Sequence, residues 1–357
     1  MNKAKILVGI THYPHVNFFK HAVRILQGLG YFDLELVVQP RGRLVSIVER
    51  ELPDVPRSLW GQHRSSLIAK LVDTAQTEAR LLSHYRRRRF DVVTGVRNVT
   101  LTHVAWIYRR PSVVFEDDIE YKLGFLAYKP LATRVVMPAS IPYEGRNVVK
   151  YRGFKELAYL HPKYFKPDEQ ALAEYGLRPG RFVFVREVSG TSLNYRHIEQ
   201  GALARVCPSL RDMGFGIVLS LENKTLRALF KDQCIILEEP VRDIHSLLHF
   251  AALTISSGDS MARESCLVGT PAIYTGRREM AIHAELEKRG CFFNAADAAD
   301  ILDAVETILR NNIKGHTMRV ISEAIGSEWE DTTEVIVNNL LSVIHKDDSL
   351  VARYRAT

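Results

Sequence analysis

The stretch Leu253–Ile273, reading LTISSGDSMARESCLVGTPAI, sets hydroxyls, backbone N–H groups and a carboxylate at spacings suited to a phosphorylated ligand. Leu253-Thr254-Ile255 reads as a strand and Ser256-Ser257-Gly258-Asp259-Ser260 as a small polar turn. Met261–Val268 reads as a helix stopped by Gly269, and Pro271 opens the next strand. The first N–H groups of a helix lack intrahelical partners, and the helix dipole adds partial positive charge, so phosphate binds well there. Ser257, Gly258 and Ser260 would cradle a diphosphate. Glu264, about one turn into the helix, would accept hydrogen bonds from a ribose diol. The plainer alternative is a helix capped by Ser257 or Asp259, with Glu264 solvated or closing a capping box.

Other groups able to do chemistry also follow apolar runs. His12 and His15 come after Lys5–Thr11, where ligands bind in open α/β sheets. They would contact an acceptor or sugar, or one would act as a base; alternatively, one fixes its own loop. Glu116-Asp117-Asp118-Ile119-Glu120 follows the strand Ser112–Phe115. Carboxylates crowded in this way repel one another and raise some of their pKa values, so the cluster could supply a general base or hold a metal or sugar hydroxyls. The alternative there is a helix cap. Arg186 closes the strand FVFVR, and a guanidinium meets phosphate bidentately; the alternative is an ion pair with Glu187 or Glu222. Arg277, after Tyr274-Thr275-Gly276, is placed to reach the diphosphate or the sugar. Arg152, Lys155 and Glu156 sit near the expected end of the first domain.

A chain of 357 residues exceeds one ordinary core, so two domains are expected. Apolar runs alternate with helical patterns. Strands are expected at Lys5–Thr11, Leu34–Val38, Asp91–Gly95, Ser112–Phe115 and, last in the first domain, Val135–Met137, with Val148–Tyr151 as an extended run. Pro53–His63 reads as a loop whose Trp60 belongs to the core. The proline- and aromatic-rich segment His161–Asp168 reads as the linker. Beyond it come a helix Glu169–Tyr175, strands Phe182–Arg186, Gly216–Ser220 and Cys234–Leu237, a helix Ile198–Met213, and a final helix Asp331–His345. The expected architecture is α/β: residues 1–162 form an N-terminal Rossmann-like domain, 163–345 a C-terminal Rossmann-like nucleotide-sugar domain facing it across a cleft, and 346–357 a tail.

A hydrophobic content of 46% with 25% charged residues is that of a globular protein. No apolar run reaches the roughly 18–20 residues that span a bilayer. The N-terminus reads as a strand, lacking the apolar length of a secretory signal. Cys207, Cys234, Cys266 and Cys291 are far apart in sequence, without a CxxC pair, so reduced buried thiols, no metal centre and a cytoplasmic location are expected. The net charge of +7 suits anionic ligands and tolerates an anionic membrane surface. The dense run Arg86–Arg89 ends a helical pattern, where it complements the dipole or makes a peripheral membrane contact. Nothing matches a nucleic-acid-binding motif.

The central stretch resembles the nucleotide-binding segment of the GT-B superfamily, through Ser257, Gly258, Ser260, Glu264, Leu267, Gly269 and Pro271. That superfamily holds nucleotide-sugar glycosyltransferases and non-hydrolysing UDP-N-acetylglucosamine 2-epimerases. The blocks His12…His15-Val16-Asn17-Phe18-Phe19, Tyr151–Leu160 and Met261-Ala262-Arg263-Glu264 are similar to those of DUF354, a family within it. The resemblance implies a GT-B fold whose C-terminal helix crosses back to the first domain. It implies a nucleotide-sugar donor in the second domain and a glycan or lipid-linked acceptor at the first, in surface polysaccharide or glycoconjugate synthesis. The donor is a substrate, and no cofactor is implied. In the 2-epimerases a Glu at about this place takes part in catalysis, with Glu116 or Asp117 the match. Their His-Arg-Arg-Glu-Asn block is absent here, since Arg186-Glu187 runs into Val-Ser-Gly. Their Gly-Asp pair is replaced by Gly95-Val96-Arg97. Metal-independent transfer is therefore favoured over 2-epimerisation, and a non-catalytic nucleotide- or polymer-binding role is the third reading.

Overall fold

The computed structural model describes residues 3–61, 67–119, 122–190, 199–238 and 241–344, with the side chains of 67–75 excepted. Glu120, Thr191, Ser192, the second half of the loop at Trp60 and the 346–357 tail lie outside the described residues. The chain forms two compact units, one running to Tyr159 and resuming at Glu330, the other Leu160–Trp329.

Apolar runs without alternation make strands covered on both faces. In the first unit these are β1 (Ala4–Ile10), β2 (Phe32–Val38), β3 (Arg57–Leu59), β4 (Val92–Val96), β5 (Ser112–Phe115), β6 (Arg134–Pro138) and β7 (Val148–Tyr151). They pair in parallel in the order β3-β2-β1-β4-β5-β6-β7. The helices are α1 (Tyr13–Gly28), α2 (Leu44–Glu51), α3 (Leu67–Arg88), α4 (Val99–Ile107), α5 (Lys122–Tyr128) and the short α6 (Leu157–Leu160). α1 starts with Pro14 in its first turn and buries Val16, Phe18, Phe19, Ala22, Val23 and Leu26. That is a stripe at helical spacing turned to the sheet. Two strands depart from the expected pattern. β3 lies within the expected loop Pro53–His63, because three residues are too few to show a period. β7 extends the sheet past Val135–Met137, its first three residues only half-buried.

The order reverses between β1 and β4, where Gly9 is paired with Gly95. Asn98 lies over both glycines while its Oδ1 accepts from Leu101 N at 3.0 Å and caps α4. A Cβ on Gly9 would stand 2.2 Å from Asn98 Nδ2 and 2.7 Å from Leu101 Cδ1. Gly9→Ala is expected to cost about 1–3 kcal/mol, read as a lowered urea midpoint. Gly28→Ala, with open space around the added methyl, is the control expected to hold the midpoint.

The second unit has β8 (Phe182–Glu187), β9 (Gly216–Leu221), β10 (Ile235–Ile236), β11 (Leu253–Ser256), β12 (Ala272–Tyr274) and β13 (Phe292–Asn294). They are parallel in the order β10-β9-β8-β11-β12-β13. Its helices are α7 (Gln170–Ala173), α8 (Cys207–Asp212), α9 (Arg227–Phe230), α10 (Ile244–Phe250), α11 (Asp259–Leu267), α12 (Ala281–Lys288), α13 (Ala298–Arg310) and α14 (Ile313–Ser327). The helix expected over Ile198–Met213 is broken: a 3₁₀ turn at Ala202–Arg205 precedes α8, which restarts with Pro208 in its first turn. α14 was invisible to the pattern, because its buried face is Thr317, Ile321 and Ala324, with glycines at both ends. Cys207 and Cys234, distant in sequence, are free thiols whose sulfurs lie 3.6 Å apart.

The last helix, α15 (Thr332–Ile344), belongs to the first unit rather than to a second domain ending at 345. Asp331 Oδ1 caps it through Thr333 N at 2.9 Å. The Thr332 and Thr333 hydroxyls donate to Phe154 O and Ala158 O at 2.8 and 2.7 Å. Its crossing back is thus fixed by hydrogen bonds to the segment that carries Lys155.

Candidate functional site

Each sheet's order reverses once, and the loops beyond the strand ends at those points carry two clusters, one in each unit. In the second unit the reversal lies between β8 and β11. Ser257 is buried, accepts from Val188 N at 2.9 Å and donates to Arg186 O at 3.3 Å. Its hydroxyl, expected to face a ligand, ties the end of β11 to that of β8. The cap of α11 is Gly258, which has no side chain to bond the helix start. A Cβ there would lie 2.8 Å from Val188 Cγ1, so the close approach of β8 excludes a side chain. Of the capping alternatives, Ser257 does not cap the helix, whereas the Asp259 carboxylate does take a first-turn N–H. Ser260 N is bonded to Asp259 Oδ1 at 2.6 Å, and its Oγ lies 3.5 Å from Arg263 Nη2.

Two arginines converge on this helix start. Arg278 pairs with Asp259. Arg263, 1% exposed, donates to His283 Nε2 at 3.1 Å and points to Met280 Sδ at 3.6 Å. A guanidinium only donates, so His283 must accept. Burial, then Arg263, lowers the His283 pKa to about 3, leaving it neutral. The first turn of α11 thus sees two guanidinium groups, the Asp259 carboxylate and the helix dipole, a local excess of positive charge fit for a diphosphate. Arg277 is exposed; its neighbour Arg278 is the one that reaches the helix. Glu264, whose side chain is 12% exposed, stands 3.7 Å from His245 Nε2 at the start of α10. Arg186 donates to Ser220 Oγ at 2.7 Å and pairs with Glu222, whose Oε2 also takes Ser189 N at 2.9 Å. The expected ion-pair alternative for Arg186 is the contact found, with Glu222 as the partner.

In the first unit, the loops after β1, β4 and β5 bring His12, His15, Arg97 and Glu116–Asp118 together with Lys155. Glu116 has a fully enclosed carboxylate. Its Oε1 accepts from Asp117 N and Asp118 N, both at 3.0 Å, and lies 3.5 Å from Arg97 Nε, while Tyr128 OH donates to Oε2. Burial, reinforced by Asp117 and opposed by Arg97 and Tyr128, raises its pKa to about 7. A carboxylate walled in this way organises the loop and does not meet a substrate. Asp117, nearly buried with its side chain 9% exposed, pairs with Lys155, whose side chain is 20% exposed. Arg97 also reaches Asp118 at 3.5 Å.

The histidines are sorted by their donors. Thr11 N points at His15 Nδ1, 3.4 Å away. An N–H donor there leaves the proton of a neutral ring on Nε2. Burial first, then His12 and Lys155, lowers the His15 pKa to about 3. His15 is therefore neutral and presents an N–H. Arg41 Nη1 lies 3.1 Å from Nδ1 and 3.5 Å from Nε2 of His12, which is exposed and lies against that guanidinium. The alternative that a histidine fixes its own loop describes the Nδ1 side of His15.

Sequence reasoning missed Arg41, Arg263 and His245, and it left open which of the basic pair Arg277-Arg278 reaches the site. Arg263 left one signal: a lone arginine between Ala262 and Cys266 on the face that the helix buries. Arg41 and the choice between Arg277 and Arg278 depend on which loop side chains turn inward, and His245 on how the start of α10 packs against α11; no period records either.

A family model described as "Protein of unknown function (DUF354)" matches residues 4–345. An uncharacterised protein of Methanocaldococcus jannaschii is 21% identical over 350 residues, covering 95% of this chain and 98% of its own. Among solved structures, the M. jannaschii UDP-GlcNAc 2-epimerase in complex with UDP-GlcNAc and UDP superposes with a TM-score of 0.71 at 13% identity, covering 95% of this chain and 99% of that one. MurG of Acinetobacter baumannii superposes with a TM-score of 0.61 at 14% identity, covering 95% and 99%. These likenesses show the fold, two Rossmann-like domains of the GT-B type.

Proposed function

We propose that this chain, a member of the DUF354 family, is a nucleotide-sugar-dependent glycosyltransferase that needs no metal. The observation that carries the reading is the start of α11: a helix dipole capped by a glycine, with Arg263 and Arg278 converging on its first turn. In transfer, negative charge develops on the leaving diphosphate, and fixed dipoles and guanidinium groups aimed at it supply the stabilisation. Glu264, beside His245, accepts the ribose hydroxyls. The GT-B likeness includes a protein whose structure holds UDP-GlcNAc and UDP, which makes UDP the first nucleotide to test. The acceptor side falls to the first unit. There Asp117 is the base that takes the acceptor proton, Lys155 orients it, the Nε2–H group of His15 holds a hydroxyl, and His12 contacts the acceptor beside it. A glycan or lipid-linked acceptor in surface polysaccharide or glycoconjugate synthesis fits that division of work.

The test is a thermal-shift series with UDP, other nucleoside diphosphates and their sugars. A ligand that binds only the folded state adds about 2.7 kcal/mol at a hundred times its Kd. UDP is expected to raise the wild-type Tm by several degrees and Glu264→Ala to lose that rise. A panel that moves neither protein sinks the donor site. The competing reading is a 2-epimerase-like enzyme, favoured by the fold match across nearly the whole chain. It predicts interconversion of a UDP-N-acetylhexosamine with no acceptor present, whereas transfer predicts turnover only when an acceptor is added. Binding without either turnover would support the non-catalytic alternative.

A further inference from the structure

The first unit carries a large apolar patch on its outer surface. Trp106 and Ile107, at the end of α4, are 59% and 54% exposed; Leu123 and Leu126, on α5, are 76% and 59% exposed. The connections β4-α4-β5 and β5-α5-β6 join neighbouring parallel strands, and right-handed crossovers put both helices on one face of the sheet. His103 Nε2 meets Ala127 O at 3.0 Å and fastens α4 to α5. Trp106 and Ile107 lie one turn beyond His103, and Leu123 one turn before Ala127, so the four side chains share one surface. Solvated monomers seldom leave four large apolar groups together.

The charge beside the patch has one dominant sign. The stacked rings of Tyr85 and Tyr108, 4.8 Å apart, hold the end of α3 against the end of α4. This brings exposed Arg86, Arg87 and Arg89 beside exposed Arg109 and Arg110. Asp91 partly answers Arg110 at 3.7 Å, and Glu78 is taken by His103 at 2.9 Å. Lys122 flanks the leucines of α5. Aromatic and aliphatic groups rimmed by arginines complement the acyl boundary and the phosphates of an anionic leaflet. No helix among the described residues is long and apolar enough to cross a membrane.

We propose that this face of α4 and α5, with the arginines at the ends of α3 and α4, docks the protein onto the surface of an anionic phospholipid bilayer. The inference does not require the proposed sugar transfer, and its test reads no activity. The full chain is sedimented with phosphatidylcholine vesicles with and without phosphatidylglycerol. Binding is expected only with the anionic lipid and to fall with added salt. Trp106→Ser combined with Leu123→Ser and Leu126→Ser is expected to weaken it at least about tenfold. Arg86→Glu with Arg109→Glu is expected to weaken it by a similar factor. Leu309→Ser, an exposed leucine of the second unit, should bind as wild type. These substitutions are on the surface, and unchanged melting curves would verify folding. Equal binding to both vesicle types, or wild-type binding by the apolar triple variant, overturns the proposal. So does light scattering that shows a wild-type dimer made monomeric by the triple variant, because the patch would then be covered by a second copy.

Discussion

Asp117→Asn is expected to cut acceptor-dependent turnover by about 10²–10⁴-fold, the usual worth of a positioned general base, and to leave the UDP-induced rise in Tm unchanged. The reason lies in what the other candidates are doing. Glu116 is enclosed and surrounded by four donors. His15 is neutral, but its lone pair faces Thr11 N and its open edge is a donor. His12 lies against the Arg41 guanidinium with both ring nitrogens in reach of it. Asp117 remains, a carboxylate at a strand end with a lysine to fix its direction. The amide keeps the shape and one acceptor for Lys155 but cannot take a proton. His15→Asn should have a smaller effect, seen mainly as a raised KM for the acceptor, since it removes a hydroxyl partner and not the base. Turnover by Asp117→Asn within threefold of wild type would reject the assignment.

How much of this was legible in the sequence follows from the range of each interaction. The strand, turn, helix and Gly269 stop of the α11 segment are local, and local chemistry fixes them: Leu253–Ser256 and Asp259–Leu267 form where the pattern put them. The crowding at Glu116–Asp118 was also visible, because it lies in adjacent residues. The sequence did not reveal which carboxylate would be walled in. That depends on Tyr128 from α5 and Arg97 from β4's loop, each set by packing rather than by period. The same limit separates Arg277 from Arg278, since a loop has no face that alternation can predict. Ser257 shows the opposite error. Its type and place suit a ligand, yet strand pairing turned its hydroxyl to Arg186 O and Val188 N.

Glu116 gives the second large effect, one of stability. Its pKa rises from 4.5 to about 7 on folding. Between those values the folded chain holds a proton that the unfolded chain has lost, so Glu116's contribution makes stability fall as pH rises from about 4.5 through 7. The difference corresponds to about 3 kcal/mol. His15 and His283 act with the opposite sign. Each has its pKa lowered from 6.5 to about 3, so their contribution is present above pH 6.5 and is lost as pH falls toward 3. His21, lowered to about 4 by burial and then by Lys20, adds to them, so wild-type stability should still rise between about pH 4.5 and 6.5, less steeply than the histidines alone would make it because Glu116 opposes them. Glu116→Gln keeps the acceptor for Asp117 N and Asp118 N but has no proton to lose. Relative to wild type, the variant is expected to be nearly equal in stability below about pH 4.5 and to gain on it as pH rises, by about 3 kcal/mol at pH 8, apart from what Arg97 loses with its partner. Urea midpoints at both pH values measure the change. Parallel profiles for the two proteins would mean that the donors around Glu116 outweigh its burial. The buried carboxylate would then be an ordinary anion, and the loop that presents Asp117 would be held by charge at every physiological pH.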